Sequence, residues 1–299
     1  MLPQPFAVTE HTDSRSNREG LSRITDLQRD ICSLISAVPP SDTRAEIQEQ
    51  PRFCSQQVLG ICFFDGEAAD AVNVMCDHGG FLIAPSGTCF ARLTRDAQYR
   101  EAVAAADLAI PDSGAMVLLW QLIGGRKLTR ISGWNYLRHL SSYFFARQSI
   151  TTVWVVPNES ARAKTVEWLE RNKFPVQPGD IYVAPMYEPT VEDSKLLERL
   201  EQQRPQHVVI GIGSGPQEKL GYYLRRNLSY RPAIHCIGAA LGFLTGDQVA
   251  IPRWADRYYL GWAVRLFAQP SVFIPRLAKA LKLPLLMLRY RSQMPRGPG

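Results

Sequence analysis

Several features that often reveal a protein's chemistry are missing from this sequence of 299 residues. It has no run of about 18 uncharged apolar residues, so we expect no membrane-spanning helix. The N-terminal stretch MLPQPFAVTEHTDSRSNREG lacks the apolar segment of a secretory signal. The histidines have no zinc-ligand spacing. There is also no Gly-x-Ser-x-Gly elbow, no Walker phosphate loop and no Asp-x-Asp pair for a metal-bound nucleotide.

Cys-x-x-Cys pairs are absent too, although the chain has six cysteines. We therefore expect reduced, buried thiols, as in cytoplasmic proteins. These cysteines are Cys32, Cys54, Cys62, Cys76, Cys89 and Cys236. Two histidines, His207 and His235, lie in or at the start of apolar runs, so we expect them to be core residues.

Apolar residues are abundant and charge is unevenly distributed. Hydrophobic residues make up 45% of the chain and charged residues 21%, which predicts a sizeable core and excludes global disorder. The net charge is +6, but residues 252–299 contain nine Lys or Arg and one acid, so they carry +8 and the rest sums to −2. This basic segment favours a phosphate, a nucleic acid or an anionic membrane as its partner.

From Gln57 onward, short apolar runs alternate with amphipathic stretches, a pattern typical of an α/β fold with a mostly parallel sheet. The predicted strands are 58–64, 81–87, 107–114, 151–157, 181–185, 207–215 and 233–241. The predicted helices are 66–78, 88–106, 115–125, 159–174, 190–205 and 216–228. Because ligands bind where parallel strands end, the candidate binding loops follow Ile83, Ile110, Val156 and Ile212.

Three segments differ in composition. Residues 1–52 are polar, and we predict a leader that is partly disordered or forms one helix. Residues 53–245 carry the alternation and are predicted to form the core. Residues 246–299 mix aromatic residues and leucines with arginines. We predict that they form a basic, amphipathic, helical appendage, which packs on the core, lies on a membrane surface, or does both.

Some residues have a pattern that suits catalysis or binding. Asp112 follows an apolar strand and precedes an apolar helix, so it is either the N-cap of that helix or a general base. The glycine-rich loop 211–215 can bring backbone amides close to a phosphate, although a glycine turn alone is weak evidence. Arg253, Arg257 and Arg265 have nearly helical spacing and form either a solvated face or a clamp for a diphosphate.

Four segments, in order over roughly residues 57–275, carry a family resemblance. They are ADLAIPDSGAMVLLWQLIGG (106–125), RISGWNYL (130–137), VVIGIGSGPQEKL (208–220) and IGAALGFLTGDQVAIPRWADRYYLGWAVRLFAQP (237–270). They resemble the acidic pDG motif, the R-x-x-G-x-D segment, the vGlGsPkQE loop and the C-terminal motif of the WecG/TagA/CpsF glycosyltransferases, which build bacterial cell-surface polysaccharides.

The resemblance implies a Rossmann-like α/β core with a C-terminal appendage that touches the membrane and completes the active site. It implies an inverting, metal-independent transfer of N-acetylmannosamine, its uronic acid or glucose from a UDP-sugar. The acceptor is a sugar on undecaprenyl diphosphate at the inner face of the bacterial plasma membrane. No metal or other cofactor is expected, and no nucleic acid. Self-association into a homo-oligomer is a further expectation.

The resemblance also suggests residue roles. Asp112 matches the catalytic base, and Gln217 matches the loop glutamine expected to line the sugar pocket. The remaining residues expected to bind substrate are Ser86, Thr88, Asn135, Gly211, Gly213 and the arginines Arg253, Arg257 and Arg265, which match those that hold the donor diphosphate.

The chain departs from the family pattern at some positions. The family's Thr-Pro-Asn reads Ala84-Pro85-Ser86, so Ser86 or Thr88 has to supply the hydroxyl, and Asn135 replaces an Asp. These departures leave open a catalytically weakened homologue that acts as a scaffold in a polysaccharide assembly complex. A nucleic-acid binder and an enzyme with a soluble acceptor are further alternatives.

Overall fold

The computed structural model describes residues 53–87, 89–147, 149–238, 240–244 and 282–297. The strands are β1 (Gln56–Val58), β2 (Ile61–Phe63), β3 (Gly80–Ile83), β4 (Leu108–Ala109), β5 (Thr152–Val156), β6 (Ile181–Val183), β7 (His207–Ile210) and β8 (Ala233–Cys236). The α-helices are α1 (Ala68–His78), α2 (Ala97–Ala104), α3 (Gly114–Leu122), α4 (Gly133–Phe145), α5 (Glu159–Arg171), α6 (Ser194–Gln203), α7 (Pro216–Asn227), α8 (Ala240–Leu244) and α9 (Lys282–Tyr290). A 3₁₀ helix spans Cys89–Arg92.

These strands form one sheet in the order β1-β2-β4-β3-β8-β7-β5-β6. β1 and β2 are antiparallel, and every other neighbouring pair is parallel. The parallel strands end at one edge of the sheet, which we call the carboxyl edge. β3, β5, β7 and β8 are buried along their whole length, as expected for parallel strands covered on both faces. The predicted α/β class with a mostly parallel sheet is confirmed.

Apolar side chains pack in two clusters, one on each face of the sheet. In β3, Phe81 and Ile83 belong to one cluster and Leu82 to the other, because successive side chains of a strand point to opposite faces. In the neighbouring strands, alternate side chains likewise pack in the two clusters, so the sheet lies between two layers of helices. The loops at the carboxyl edge therefore rest on a rigid support.

A buried ion cluster anchors α7 to the sheet. Arg225 of α7 donates from Nε and Nη2 to the two carboxylate oxygens of Asp107 at 2.7 and 3.0 Å, and Arg231 Nη2 lies 3.2 Å from Oδ1. Phe81 N–H donates to the same carboxylate at 2.8 Å. Burial acts to raise the pKa of Asp107, but the two arginines outweigh it and lower that pKa. Because α7 is fixed in this way, its N-terminus has a defined position at the carboxyl edge.

Two predicted elements differ in the structure. The single strand predicted at 58–64 is wrong, because Leu59 and Gly60 have φ of 52° and 77° and reverse the chain into the hairpin β1–β2. The helix predicted at 88–106 is divided into the 3₁₀ helix and α2. The division is at Asp96, whose carboxylate caps α2 by accepting from Tyr99 N–H at 3.0 Å.

The prediction that all cysteines are reduced and buried is wrong for part of the set. Cys54 and Cys62 form a disulfide that joins the residue stretch before β1 to β2. Two cysteines on adjacent, hydrogen-bonded segments of a hairpin lie close enough to pair. Among the free cysteines that the structure describes, Cys89 and Cys236 are buried, whereas Cys76 is half-buried.

The prediction that two histidines are core residues is confirmed. His207 Nδ1 lies 3.2 Å from His235 Nε2, and His235 Nδ1 lies 2.8 Å from the Tyr136 hydroxyl. Burial lowers the pKa of His207 to about 4 and holds that of His235 well below its usual value. Both rings are therefore neutral near pH 7.

The end of the chain packs on the core. In α9, Leu283 and Met287 are buried in one of the two core clusters. Leu59 N–H in the hairpin turn donates to the Arg291 carbonyl at 2.7 Å. None of the described helices combines the length and the apolar content needed to cross a bilayer.

Some predictions lie outside the described residues. These are the leader 1–52 with Cys32, the greater part of the appendage 246–299, Thr88, Arg253, Arg257 and Arg265. The division into a leader, a core and an appendage stays a prediction.

Candidate active site

Asp112 lies at the carboxyl edge, just after β4. Its carboxylate Oδ1 accepts from Gly133 N–H, in the first turn of α4, at 2.9 Å. Its carbonyl oxygen accepts from Arg130 Nε at 2.9 Å. The side chain is half-buried, and among the described residues Oδ2 has no hydrogen-bond partner. The carboxylate is thus oriented by one oxygen, and no described residue bonds to the other.

The interpretation of Asp112 as the N-cap of the helix that follows it is wrong. Ser113 has that role, because its Oγ accepts from Met116 N–H at 3.3 Å. Asp112 instead reaches across to the N-terminus of α4, where Ser132 is already the N-cap. The carboxylate is therefore the N-cap of neither helix, although its Oδ1 satisfies one of the N-terminal N–H groups of α4.

A series of close contacts connects the loop of Asp112 with three other loops at the carboxyl edge. A Cβ atom on Gly87, in the loop after β3, would lie 2.9 Å from Ser113 Oγ. A Cβ atom on Gly133 would lie 3.4 Å from the Ile237 carbonyl, in the loop after β8. A Cβ atom on Gly211, after β7, would lie 2.9 Å from the Leu241 side chain. The loops after β4, β3, β8 and β7 therefore form one continuous surface.

The loop after β3 contains Ala84, where the chain departs from the family pattern, and the predicted substrate-binding residue Ser86. Ala84 is 4% exposed, and its N–H donates to the Cys236 carbonyl at 3.1 Å. Ser86 is half-buried, with its Oγ 3.3 Å from Cys89 Sγ. The hydroxyl that the family pattern has at position 84 is thus replaced by a buried methyl group. Ser86 lies next to Gly87, at the contact with the Asp112 loop.

Asn135 lies in the first turn of α4, two residues after Gly133. Its N–H donates to Ser132 Oγ at 3.2 Å, and its Oδ1 accepts from Arg138 at 3.2 Å. The side chain is half-buried. Asn135 and Asp112 therefore share one helix terminus, although no hydrogen bond joins them.

The glycine-rich loop has an open backbone at Gly213. Gly213 has φ of 95°, and a Cβ atom there would meet nothing within 4 Å. Gly215 has φ of 104° and is the N-cap of α7. A Cβ atom on Gly215 would lie 2.8 Å from Arg92 Cζ, so the Arg92 guanidinium lies against this loop. Only residues without a side chain suit this conformation and this contact.

Gln217 and Glu218 form a directional chain of hydrogen bonds beneath the loop. Gly238 N–H donates to Gln217 Oε1 at 2.8 Å, and Gln217 Nε2 donates to Glu218 Oε1 at 3.1 Å. Gly215 N–H donates to Glu218 Oε2 at 2.5 Å. A backbone N–H can only donate, so Gly238 fixes the orientation of the Gln217 amide. Both oxygens of Glu218 must therefore accept.

Gln217 and Glu218 are both fully buried. Burial raises the pKa of Glu218, while hydrogen bonds from Gly215 and Gln217 and the charge of Arg92 oppose the rise. In this structure the Gln217 side chain holds the loops after β7 and β8 together. That Gln217 also lines a sugar pocket stays a prediction.

The sequence did not indicate Arg92, and it indicated Glu218 only as a residue of the first turn of the helix, without its hydrogen bonds. Arg92 has no motif around it, so no signal in the sequence marks its contact with Gly215. Glu218 carries a weak signal, because a glutamate three residues after an N-cap is typical of a capping box.

An open cavity of about 360 Å³ lies between β1, the end of α3 and residues 291–292, and none of the predicted site residues lines it. Among the described residues, no group of three His, Cys, Asp or Glu could hold a metal ion.

Fold and site together define an α/β protein whose half-buried carboxylate and glycine-rich loop both lie at the carboxyl edge of a mostly parallel sheet. The chain belongs to the glycosyl transferase WecG/TagA/CpsF family, whose model matches residues 56–297. The resemblance inferred from the four segments is confirmed. The chain is also similar to the N-acetylglucosaminyldiphosphoundecaprenol N-acetyl-beta-D-mannosaminyltransferase of Bacillus spizizenii (strain ATCC 23059 / NRRL B-14472 / W23). The two are 21% identical over 196 residues, which cover 65% of this chain and 74% of the relative.

Proposed function

We propose that this glycosyltransferase moves a sugar from a UDP-sugar to a lipid-diphosphate-linked acceptor, with inversion and without a metal ion, in bacterial surface polysaccharide synthesis. The observation that carries the proposal is the Asp112 carboxylate, which Oδ1 holds at the carboxyl edge, while no described residue bonds to Oδ2. Family membership supports the reaction class. The name of the Bacillus relative supports a lipid-diphosphate acceptor and an N-acetylmannosamine-type sugar.

The proposed step is a direct displacement. Asp112 Oδ2 takes the proton of an acceptor hydroxyl as that oxygen bonds to the anomeric carbon of the donor sugar. The bond between the sugar and the diphosphate breaks on the opposite side, and UDP leaves with the bonding electrons. Gly211 and Gly213 let the backbone approach the nucleotide.

The leaving diphosphate carries negative charge, which cationic groups stabilise in the absence of a metal ion. Arg253, Arg257 and Arg265 are the proposed clamp. Gln217, Ser86, Thr88 and Asn135 are the proposed residues around the donor sugar. The sugar is N-acetylmannosamine, its uronic acid or glucose. We further propose that the enzyme works at the anionic inner face of the plasma membrane, where its acceptor is anchored, and that it has no cofactor.

One observation favours a second candidate, a scaffold with weakened activity. Ala84 is buried and brings no hydroxyl to the site. The oriented carboxylate of Asp112 argues against this candidate, because a general base needs a carboxylate oxygen that can reach a proton, and no described residue bonds to Oδ2.

The test is transfer by the full chain to a short-chain polyprenyl diphosphate acceptor, with a panel of UDP-, GDP- and dTDP-sugars, with and without EDTA. We expect product with a UDP-sugar, an inverted anomeric configuration, and no effect of EDTA. Nucleotide binding without product for any donor would favour the scaffold. Product that requires a divalent cation would refute the metal-independent mechanism.

A further inference from the structure

Two helices expose leucines to solvent. In α3, Leu118 and Leu122 are 43% and 81% exposed, and in α9, Leu285 and Leu288 are 70% and 58% exposed. We call these four residues the leucine face. Single exposed leucines are common, but four on two helices form an apolar surface that suits a partner.

The four leucines lie on one side of the molecule. α3 and α9 contact each other. Both bury their inner side chains in the same core cluster, Met116 and Val117 from α3 and Leu283 and Met287 from α9. Because the two helices cover the same face of the sheet, their outward faces point to the same side.

The charges that lie near these leucines in the sequence have one sign. Residues 113–158 and 257–299 contain no Asp or Glu. Arg126 and Lys127 follow α3, Lys282 and Arg289 lie in α9, and all four are exposed. An apolar surface with a cationic surround matches an anionic lipid bilayer, which accepts leucines below its phosphate groups. A symmetric dimer through this face would instead bring these cations towards the same cations of a second copy.

We propose that the leucine face is where the enzyme docks on an anionic membrane, and that the core helix α3 contributes half of the contact. This inference rests on the proposed function, because it places the lipid-linked acceptor beside the base. Asp112 precedes α3 by two residues. At about 1.5 Å per residue, Leu118 and Leu122 lie about 6 and 12 Å along the helix from its first residue. A sugar on a membrane-anchored diphosphate can span such a distance to Asp112.

The test is co-sedimentation of the full chain with phosphatidylcholine vesicles, with and without phosphatidylglycerol. The double variant Leu122→Gln/Leu285→Gln removes one leucine from each helix. We expect its affinity for the anionic vesicles to fall about tenfold or more, the order expected for leucines leaving apolar surroundings. The control is Met186→Gln, because Met186 is 96% exposed but lies in the loop after β6. The control should bind as the wild type does, and added salt should weaken binding by both.

Two results would refute the proposal that the leucine face docks on a membrane. One is vesicle binding by the double variant equal to that of the wild type. The other is a dimer of the wild type that the double variant dissociates while vesicle binding stays unchanged, since the face then joins two copies. Transfer to a water-soluble, short-chain acceptor separates this question from the proposed function. The double variant should retain that activity. If the wild type transfers no sugar to this acceptor, the proposed function is refuted, and the vesicle assay alone then tests the leucine face.

Discussion

Acidification should destabilise this protein through its buried histidine pair. His207 and His235 are neutral in the folded protein, because burial lowers the pKa of His207 to about 4 and holds that of His235 well below its usual value. In the unfolded chain both titrate near pH 6.5. Unfolding therefore takes up protons below that pH, and the free energy of unfolding falls as the pH falls from about 6.5 to about 4. For His207 alone, the whole window corresponds to a loss of about 3 kcal/mol.

The variant His207→Gln removes this titration, since glutamine does not titrate and has an amide that can offer a hydrogen bond to His235. Between pH 7 and pH 5 the wild type should lose about 2 kcal/mol more stability than the variant. Glu218 acts in the opposite direction, because its pKa is raised and acid relieves its buried charge. That contribution is common to both proteins and cancels in the difference. Urea unfolding followed by tryptophan fluorescence gives the two free energies. Equal pH dependence in the two proteins would refute the assignment of a neutral, buried His207.

Two further predictions concern the loop that begins α7. In Glu218→Gln, one amide oxygen has to accept from two buried donors, so the variant should be less stable by about 1–3 kcal/mol in urea unfolding. It should also bind nucleotide more weakly in calorimetry. Unchanged stability would contradict the hydrogen-bond chain. Gly213→Ala and Gly215→Ala both force an alanine into positive φ, but only the second also meets Arg92. Gly215→Ala should therefore lower the melting temperature more than Gly213→Ala does, and the reverse order would contradict the contact.

Much of the fold is predictable because its strands are buried on both faces. Such strands appear as apolar runs in the sequence, and β5, TVWVV, is an example. The hairpin β1–β2 was not predictable in this way, because VLGICFF is also an apolar run, and only Gly60 indicates the turn. Helix α4 had no prediction, although a serine N-cap precedes it. The disulfide depends on the hairpin, so it could not be predicted without it.

The candidate site shows a different limit. Sequence places Asp112 at the end of a strand, but its hydrogen bond to Gly133 joins residues 21 positions apart. No local sequence pattern indicates which helix N-terminus such a carboxylate will contact. For the same reason the pattern could not show that Gln217 is buried between two loops. The positions of single residues were thus predictable, whereas their partners depend on the assembled sheet.

The most direct test of the account is the turnover of Asp112→Asn. Asparagine keeps the acceptor for Gly133 N–H but cannot take a proton from the acceptor hydroxyl. We predict that kcat falls by about 10²–10⁴, the usual contribution of a general base, while the dissociation constant for UDP stays unchanged. The matched control, Asp77→Asn on the exposed surface of α1, should keep wild-type turnover. Substantial residual activity in Asp112→Asn, with UDP binding intact, would contradict the assignment of Asp112 as the base.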